Sequence, residues 1–497
     1  MDDLSEFDSY MAHLSDGLGH RDRHAGLRGY CSGLMAPLAR KSVEPMAAHL
    51  DPMHTRSKHQ SLHHFVADAG WSDEQMLLGV CQWVVPKMNF RDGGWWIIDD
   101  TGFPKQGRHS VGVARQYCGM LGKQDNCQVA VSVSLACEAA SLPVAWRLYL
   151  PKEWADDAER RAKAGVPEVL EFATKPAIAL SQITHLVNQG APKHCVLADA
   201  GYGVDTAFRE GLSELGLTYV VGVTDALTVW PPGREPLPAA PYSGRGRFSK
   251  RLRIGSRDDP QHRPQSIKEL AFELGPQHWR SVTWREGTNA RLRSRFVRVR
   301  VRAAHRDHLH EQWREAQWLL IEWPKGDREP LKYWLSTLPE DVPLERMVYE
   351  AKMRWRIERD YQDLKQDLGL GHYEGRGWRG FHHHASLSIA AYGLLIAQRL
   401  AHPDETGVKK NSALRQEPAL PTHYKPRGSP AHAARASRHR SRVCGCVSPQ
   451  PCSGRCRVAF VVITSTQSFF INTVRLGVLR QPFSWTLSLR HSKDNSA

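Results

Sequence analysis

The spacing of apolar and polar positions changes several times along the chain, and each change marks an element. Residues 1–75 carry short helical repeats without strand alternation, broken by a stretch rich in His and basic residues from His54 to His64; a small helical domain is expected there. From Gly94 the pattern becomes strand-like. Trp95-Trp-Ile-Ile98 runs into Asp99-Asp100, Gln128 to Leu135 alternates, and Pro143 to Leu150 follows, which predicts three successive strands in an antiparallel meander. A helix at about 167–188, a short apolar strand Cys195 to Asp199, a helix near 203–214 and a strand Thr218 to Thr224 complete the order β-β-β-α-β-α-β over 76–224. That order predicts an α/β core.

Residues 225–340 interrupt the core with a Pro- and Arg-rich loop (230–264) and strand-like segments such as Arg295 to Val301 and Trp318 to Trp323, so they read as an inserted β-rich region. Within 341–402 a long helix is expected from Leu344 to Leu368, then a polar turn and an apolar helix near 384–400. Residues 403–497 lose periodicity and form an irregular basic tail, either disordered or read from an altered frame. Its four cysteines, Cys444, Cys446, Cys452 and Cys456, lack the paired short spacing of a zinc site.

Composition narrows the class. A chain of 497 residues, 41% of them apolar, has material for two or three cores. The acidic start Met-Asp-Asp-Leu-Ser-Glu does not resemble a signal peptide, and no run of about 18 apolar residues occurs. A cytoplasmic protein without a membrane partner is expected, and Cys31, Cys81, Cys118, Cys127, Cys137 and Cys195 are scattered as buried thiols in a reducing compartment would be. The net charge of +15 invites a nucleic-acid reading, yet residues 406–497 hold 15 Lys and Arg against 2 acids, leaving 52 basic and 50 acidic residues before them. DNA binding by the body must rest on local patches.

Two acids stand at candidate strand ends, each followed by a Gly-containing turn: Asp100-Thr-Gly102 and Asp199-Ala-Gly201. In a β-β-β-α-β sheet those strands are neighbours, so both carboxylates emerge at one place on the rim. Alternation sends Asp99 to the face opposite Asp100. On the late helix, Arg354, Glu358 and Lys365 fall within about 40° of one another at 100° per residue, and Ile357, Tyr361, Leu364 and Leu368 form an apolar stripe about 70° away. Asp360 and Asp363 point elsewhere and are expected to be solvated. Three carboxylates suit Mg²⁺ (or Mn²⁺), and two such ions serve phosphodiester cleavage and transfer.

The strand-end Asp-Thr, the Asp after an apolar run, and Arg-x-x-x-Glu-x-x-x-x-x-x-Lys resemble the DDE-superfamily transposases of bacterial insertion sequences, in the group with a Tyr-Arg-Glu-Lys signature. Asp100-Thr-Gly-Phe-Pro-Lys105 and Gly371-His-Tyr-Glu-Gly-Arg376 are similar to one branch of it. The resemblance implies a ribonuclease-H-like catalytic core with the β insertion ahead of the last acid, catalytic and metal-ligand roles for Asp100, Asp199 and Glu358, and DNA contacts from Arg354 and Lys365. It also implies cleavage at inverted-repeat ends, joining of the 3′ ends to target DNA, a homodimer on paired ends, and association with the nucleoid when bound. Ala351 stands where the signature has Tyr, three residues before Arg354, and Tyr349 is two positions off.

Further DNA contacts are expected from the basic loop after the first strand (Lys105, Arg108, His109, Arg115 and Lys123), from the helical region 1–75, and from Trp323, which with Trp334 suits stacking on an unpaired base. His382-His-His384 reads as solvent-facing or DNA-adjacent and not as a metal ligand, because adjacent residues cannot share one helical face. Two other classes fit parts of the chain: an inactive end-binding repressor of transposition, and a nicotinamide-dependent oxidoreductase suggested by Gly201-Tyr-Gly203 with Asp225 at the end of the next strand.

Overall fold

The computed structural model describes residues 3–402 apart from 243, 245–248, 287–290 and 306–310; the expectations for the tail, including its cysteines, lie outside the described residues. Five helices open the chain: α1 (Asp3–Ser15), α2 (Asp22–Met35), α3 (Val43–Leu50), α4 (Thr55–Ala67) and α5 (Asp73–Val84). The Ser72 side chain caps α5 by accepting from the Gln75 N–H, with Asp73 and Glu74 in the first turn where the helix dipole favours acids.

Next come β1 (Trp95–Pro104), β2 (Ala114–Cys118), β3 (Lys123–Ala136) and β4 (Ser141–Leu148), then α6 (Lys152–Ala155), α7 (Ala158–Lys163) and α8 (Lys175–Asn188). β1 is buried along nearly its whole length because it is flanked on both edges. It pairs antiparallel with β3 from Trp95 opposite Ala136 to Pro104 opposite Cys127, and parallel with β5 (Cys195–Ala198) from Trp95 opposite Cys195 to Ile97 opposite Leu197. After β5 come α9 (Ala200–Gly203), α10 (Thr206–Glu214) and β6 (Tyr219–Val223), which pairs parallel with β5. The meander thus holds a fourth strand, β2, and β1 runs four residues past Asp100.

The inserted residues supply β7 (Thr228–Trp230), β8 (Gln265–Ser266), α11 (Ile267–Glu273), β9 (Arg280–Glu286), β10 (Arg291–Ala303), β11 (Gln317–Glu322) and β12 (Lys332–Ser336). They prolong the core sheet, since β12 pairs antiparallel with β6 and the strand order is β2-β3-β1-β5-β6-β12-β11-β10-β7-β8, with β4 on β3 and β9 on β10. One face of the sheet takes α8: the Trp96 indole N–H donates to the Pro192 carbonyl just beyond that helix, and the Gln182 amide donates to the Val131 carbonyl. The other face takes α12 (Leu344–Lys352) and α13 (Trp355–Gln366): Trp95 donates to the Glu350 carboxylate, and the Ser132 and Tyr361 hydroxyls meet at 2.9 Å.

The expected single helix 344–368 is therefore two. Around Met353 and Arg354 the N–H groups of Met353, Arg356 and Ile357 reach back three residues instead of four, a tightened turn. Asp360 and Asp363, expected in solvent, are buried. Asp360 accepts from Ser141 Oγ at 2.6 Å and Tyr392 at 3.1 Å, and burial pushes its carboxyl up to about 6.

The last helix, α14 (Trp378–Ala401), packs on α2, α4, α5 and β4 and is buried around its circumference, as its apolar sequence requires. Its three histidines are inside as well, a correction to the solvent-facing reading. Consecutive helical residues point about 100° apart, so each meets a different element. His382 Nε2 accepts from the Leu148 N–H, His383 lies against the Val66 and Trp71 carbonyls, and His384 links the Tyr30 hydroxyl at 2.9 Å to the Gly369 carbonyl at 3.0 Å. Among the described residues no helix is long and apolar enough to cross a membrane.

Burial pushes His384 down to about 4, so its neutral ring is the folded form. An unfolded chain binds the proton near 6.5, and stability contributed at neutral pH is lost as pH falls from about 6.5 to 4. Denaturant titrations are expected to show wild type losing about 3 kcal/mol more than His384→Gln between pH 7 and pH 4; parallel losses would mean the ring does not titrate across that window.

Candidate active site

β5 stops at Ala198 while β1 continues to Pro104, and their ladder closes at Ile97 and Leu197. Past that point the edge of β1 opens into a notch at the C-terminal end of parallel strands, where α/β sheets leave room for ligands. Asp199 sits at its base as the N-cap of α9, accepting from the Gly201 N–H at 2.8 Å.

Asp99 and Asp100 reach the notch from opposite faces. Asp99 shares the face of Trp95 and Ile97 and takes Arg354 Nη1 at 2.9 Å; Asp100 faces α8 and takes Lys175 Nζ at 3.0 Å. Arg354 also reaches Glu358 at 3.4 Å, so one guanidinium bridges a strand carboxylate and a helix carboxylate. Two turns on, Lys365 Nζ donates to the Gly102 carbonyl at 2.9 Å and lies 4.9 Å from the Phe103 ring centre; burial lowers its pKa to about 8. Arg354, Glu358 and Lys365 thus present one polar face of α13 to β1. It is Asp99, not Asp100, that shares an arginine with Glu358.

Three residues of this neighbourhood carry no linear signal. Lys175 enters from the first turn of α8. Lys332, at the start of β12, stands opposite Glu322 in the ladder; burial lowers its pKa, Arg354 adds to the shift, and Glu322 and Glu358 oppose it. Tyr202, on α9, is 1% exposed and its hydroxyl has no hydrogen-bond partner among the described residues.

Other expected contacts are placed as follows. Lys105 donates to the Tyr373 carbonyl at 2.9 Å, Arg108, His109 and Arg115 are exposed, and Lys123 pairs with Asp125 at 3.0 Å. Trp323 packs edge-on against Phe272 and Trp279 and donates to the Asp327 carbonyl, whereas Trp334 is buried. Tyr349 donates to Glu138 at 2.7 Å and Ala351 is buried. Gly203 is explained by packing: a Cβ there would fall 2.0 Å from the Gly222 carbonyl oxygen. Close approach of α9 to β6, and not a phosphate cradle, requires that glycine.

Carboxylate oxygens are the donors that a hard divalent cation takes. The donor chemistry fits such an ion. Among the described residues, however, no three His, Cys, Asp or Glu side chains already converge as a metal-holding group; Arg354 and Lys175 hold the acids on either side.

The family model for the DDE superfamily endonuclease matches residues 13–291, more than half of the chain. A probable transposase for insertion sequence element IS701 from Microchaete diplosiphon is 32% identical over 192 residues, which are 38% of this chain and 46% of that protein. The chain therefore spans just under half the length of that relative.

The Arg354–Asp99 pair is mostly shielded, with side chains 20% and 10% exposed. Removing one partner of such a pair leaves a poorly solvated charge. Asp99→Asn is expected to cost about 1–3 kcal/mol in urea unfolding, and an unchanged midpoint and slope would show the bridge to be energetically idle.

Proposed function

Because the chain belongs to the DDE superfamily of endonucleases, we propose that it is a DNA transposase, cutting phosphodiester bonds at the inverted-repeat ends of an insertion sequence and joining the freed 3′ ends to target DNA. The observation that supports this is the end of β1, where Arg354 of α13 joins Asp99 to Glu358 and Lys365 reaches the Gly102 carbonyl, with Asp100 on the other face of the strand and Asp199 capping the turn after the neighbouring β5. The antiparallel β3–β1 pair followed by parallel β1–β5–β6 supports a ribonuclease-H-like core.

Asp100, Asp199 and Glu358 are the carboxylates that would hold two Mg²⁺ or Mn²⁺ ions, whose chemistry when bound is to stabilise charge on the attacking and leaving oxygens of an in-line displacement. Arg354 offsets repulsion between Asp99 and Glu358 and stays beside the reacting phosphate, and Lys365 grips the backbone near Gly102. Water attacks first, leaving a 3′-hydroxyl. That hydroxyl then attacks a target phosphodiester, forming one P–O bond as another breaks. Arg108 and Arg115, exposed on the β1–β2 side, supply phosphate contacts with Lys105 behind them; Trp323 and the helices within 1–75 contribute further DNA contacts, and two copies act on paired ends. Ala351, at the signature Tyr position, favours a second reading as an end-binding repressor that no longer cuts.

Cleavage of a labelled duplex bearing the element's inverted repeat distinguishes these. Wild type with Mg²⁺ or Mn²⁺ is expected to give 3′-hydroxyl ends, and Asp199→Asn or Glu358→Gln to lower the rate at least about 100-fold. Specific binding without cutting by wild type identifies the repressor; neither binding nor cutting overturns both readings.

A further inference from the structure

α3 and α4 are joined by the four residues 51–54 and pack on each other and on α2. Glycines of α2 allow the close approach: a Cβ on Gly26 would fall 2.6 Å from the Phe65 ring of α4, and one on Gly33 2.8 Å from Met46 Sδ of α3. Asp51 shapes the joint, its carboxylate accepting from the His54 N–H at 3.1 Å. Two short helices joined by so tight a turn and backed by a third form a helix-turn-helix, whose second helix fits the major groove of B-DNA.

The outer face of α4 has the chemistry for that groove. None of its 13 residues is acidic. Leu62, Phe65 and Val66 are buried, while Arg56, Gln60 and His63 are exposed and fall within about 60° of one another at 100° per residue. Two acids flank the helix without standing on it: Asp51 holds the turn, and Asp68, past the last residue, lies 3.8 Å from His63. Arg pairs with guanine O6 and N7, and Gln with adenine N6 and N7. The helix is also tied to the end of β1. A Cβ on Gly380 would meet both Ala67 of α4 and the Tyr373 ring, and the Tyr373 carbonyl takes Lys105 Nζ, just past β1.

We propose that α4 is the recognition helix that reads the inverted repeat in the major groove, with Arg56 and Gln60 on base edges and His63 beside them. The inference rests on the end-binding part of the reading above and is independent of whether the metal site cuts.

The test uses the full chain without metal, so failure to cleave leaves it unaffected. Fluorescence anisotropy compares wild type, Arg56→Ala and Gln60→Ala on a labelled duplex of the element's inverted repeat and on a scrambled duplex of the same composition. Each variant is expected to weaken binding to the repeat at least about 10-fold, to change binding to the scrambled duplex far less, and to keep the wild-type Tm. Arg56→Ala is also expected to lose protection of a guanine N7 from dimethyl sulfate. Wild-type preference for the repeat in both variants overturns the role of α4 and leaves end binding to another surface. Equal weakening on both duplexes reduces the helix to phosphate contacts, and a clear fall in Tm assigns the side chains to packing; either overturns the proposal. A wild type with no preference for the repeat removes the end-binding reading and this inference with it.

Discussion

Acids gathered at one sheet edge repel one another, and the cations placed among them set how they stand. At the notch a single guanidinium spans Asp99 and Glu358, and an ammonium from α8 takes Asp100 on the other face. Arg354 suits the first task because its planar fork offers several donors in fixed directions, so two carboxylates on different elements can share one cation. The bridge fixes α13 against β1. Through that contact the phase of the helix, and with it the positions of Glu358 and Lys365, is determined.

The rest of the fold holds α13 where the bridge needs it. Tyr361 meets Ser132 on β3, Asp360 is grasped by Ser141 at the start of β4 and Tyr392 on α14, and Ile357 and Leu364 are fully buried. α14 is in turn latched to the opening helices by Tyr10, whose hydroxyl donates to Ala390, and by His383 and His384. A series of buried hydrogen bonds, each satisfied, thus runs from the amino-terminal helices to the notch. Such networks are demanding when incomplete and specifying when complete.

Much of this arrangement was legible in the sequence, and the reasons for the rest are physical. Element order, the strand-end position of Asp199 and the common face of Arg354, Glu358 and Lys365 follow from periodicity and local pitch. Alternation separates Asp99 from Asp100 but not which of them faces α13; that needs the docking of α13, whose Arg354 takes Asp99 and whose Tyr361 meets Ser132 opposite it, a long-range fact. Lys175 reaches Asp100 only through tertiary packing. Helical phase points Asp360 away from Glu358 and sends the adjacent histidines of α14 to different faces, but it does not show that those faces are covered; partners on β4, α14, α2 and α4 make their burial tolerable. The strands of 225–340 were visible, but not that β12 would lie beside β6 and extend the core sheet.

As proposed, divalent ions bind at the end of β1 beside β5, on Asp100, Asp199 and Glu358. Crystals of the full chain grown with Mn²⁺, with anomalous differences collected at the manganese edge, test it most directly. Anomalous density is expected within coordination distance of oxygens from all three residues, with Asp100 turned toward Asp199. Density confined to another part of the molecule, or none at the notch at saturating Mn²⁺, would contradict it.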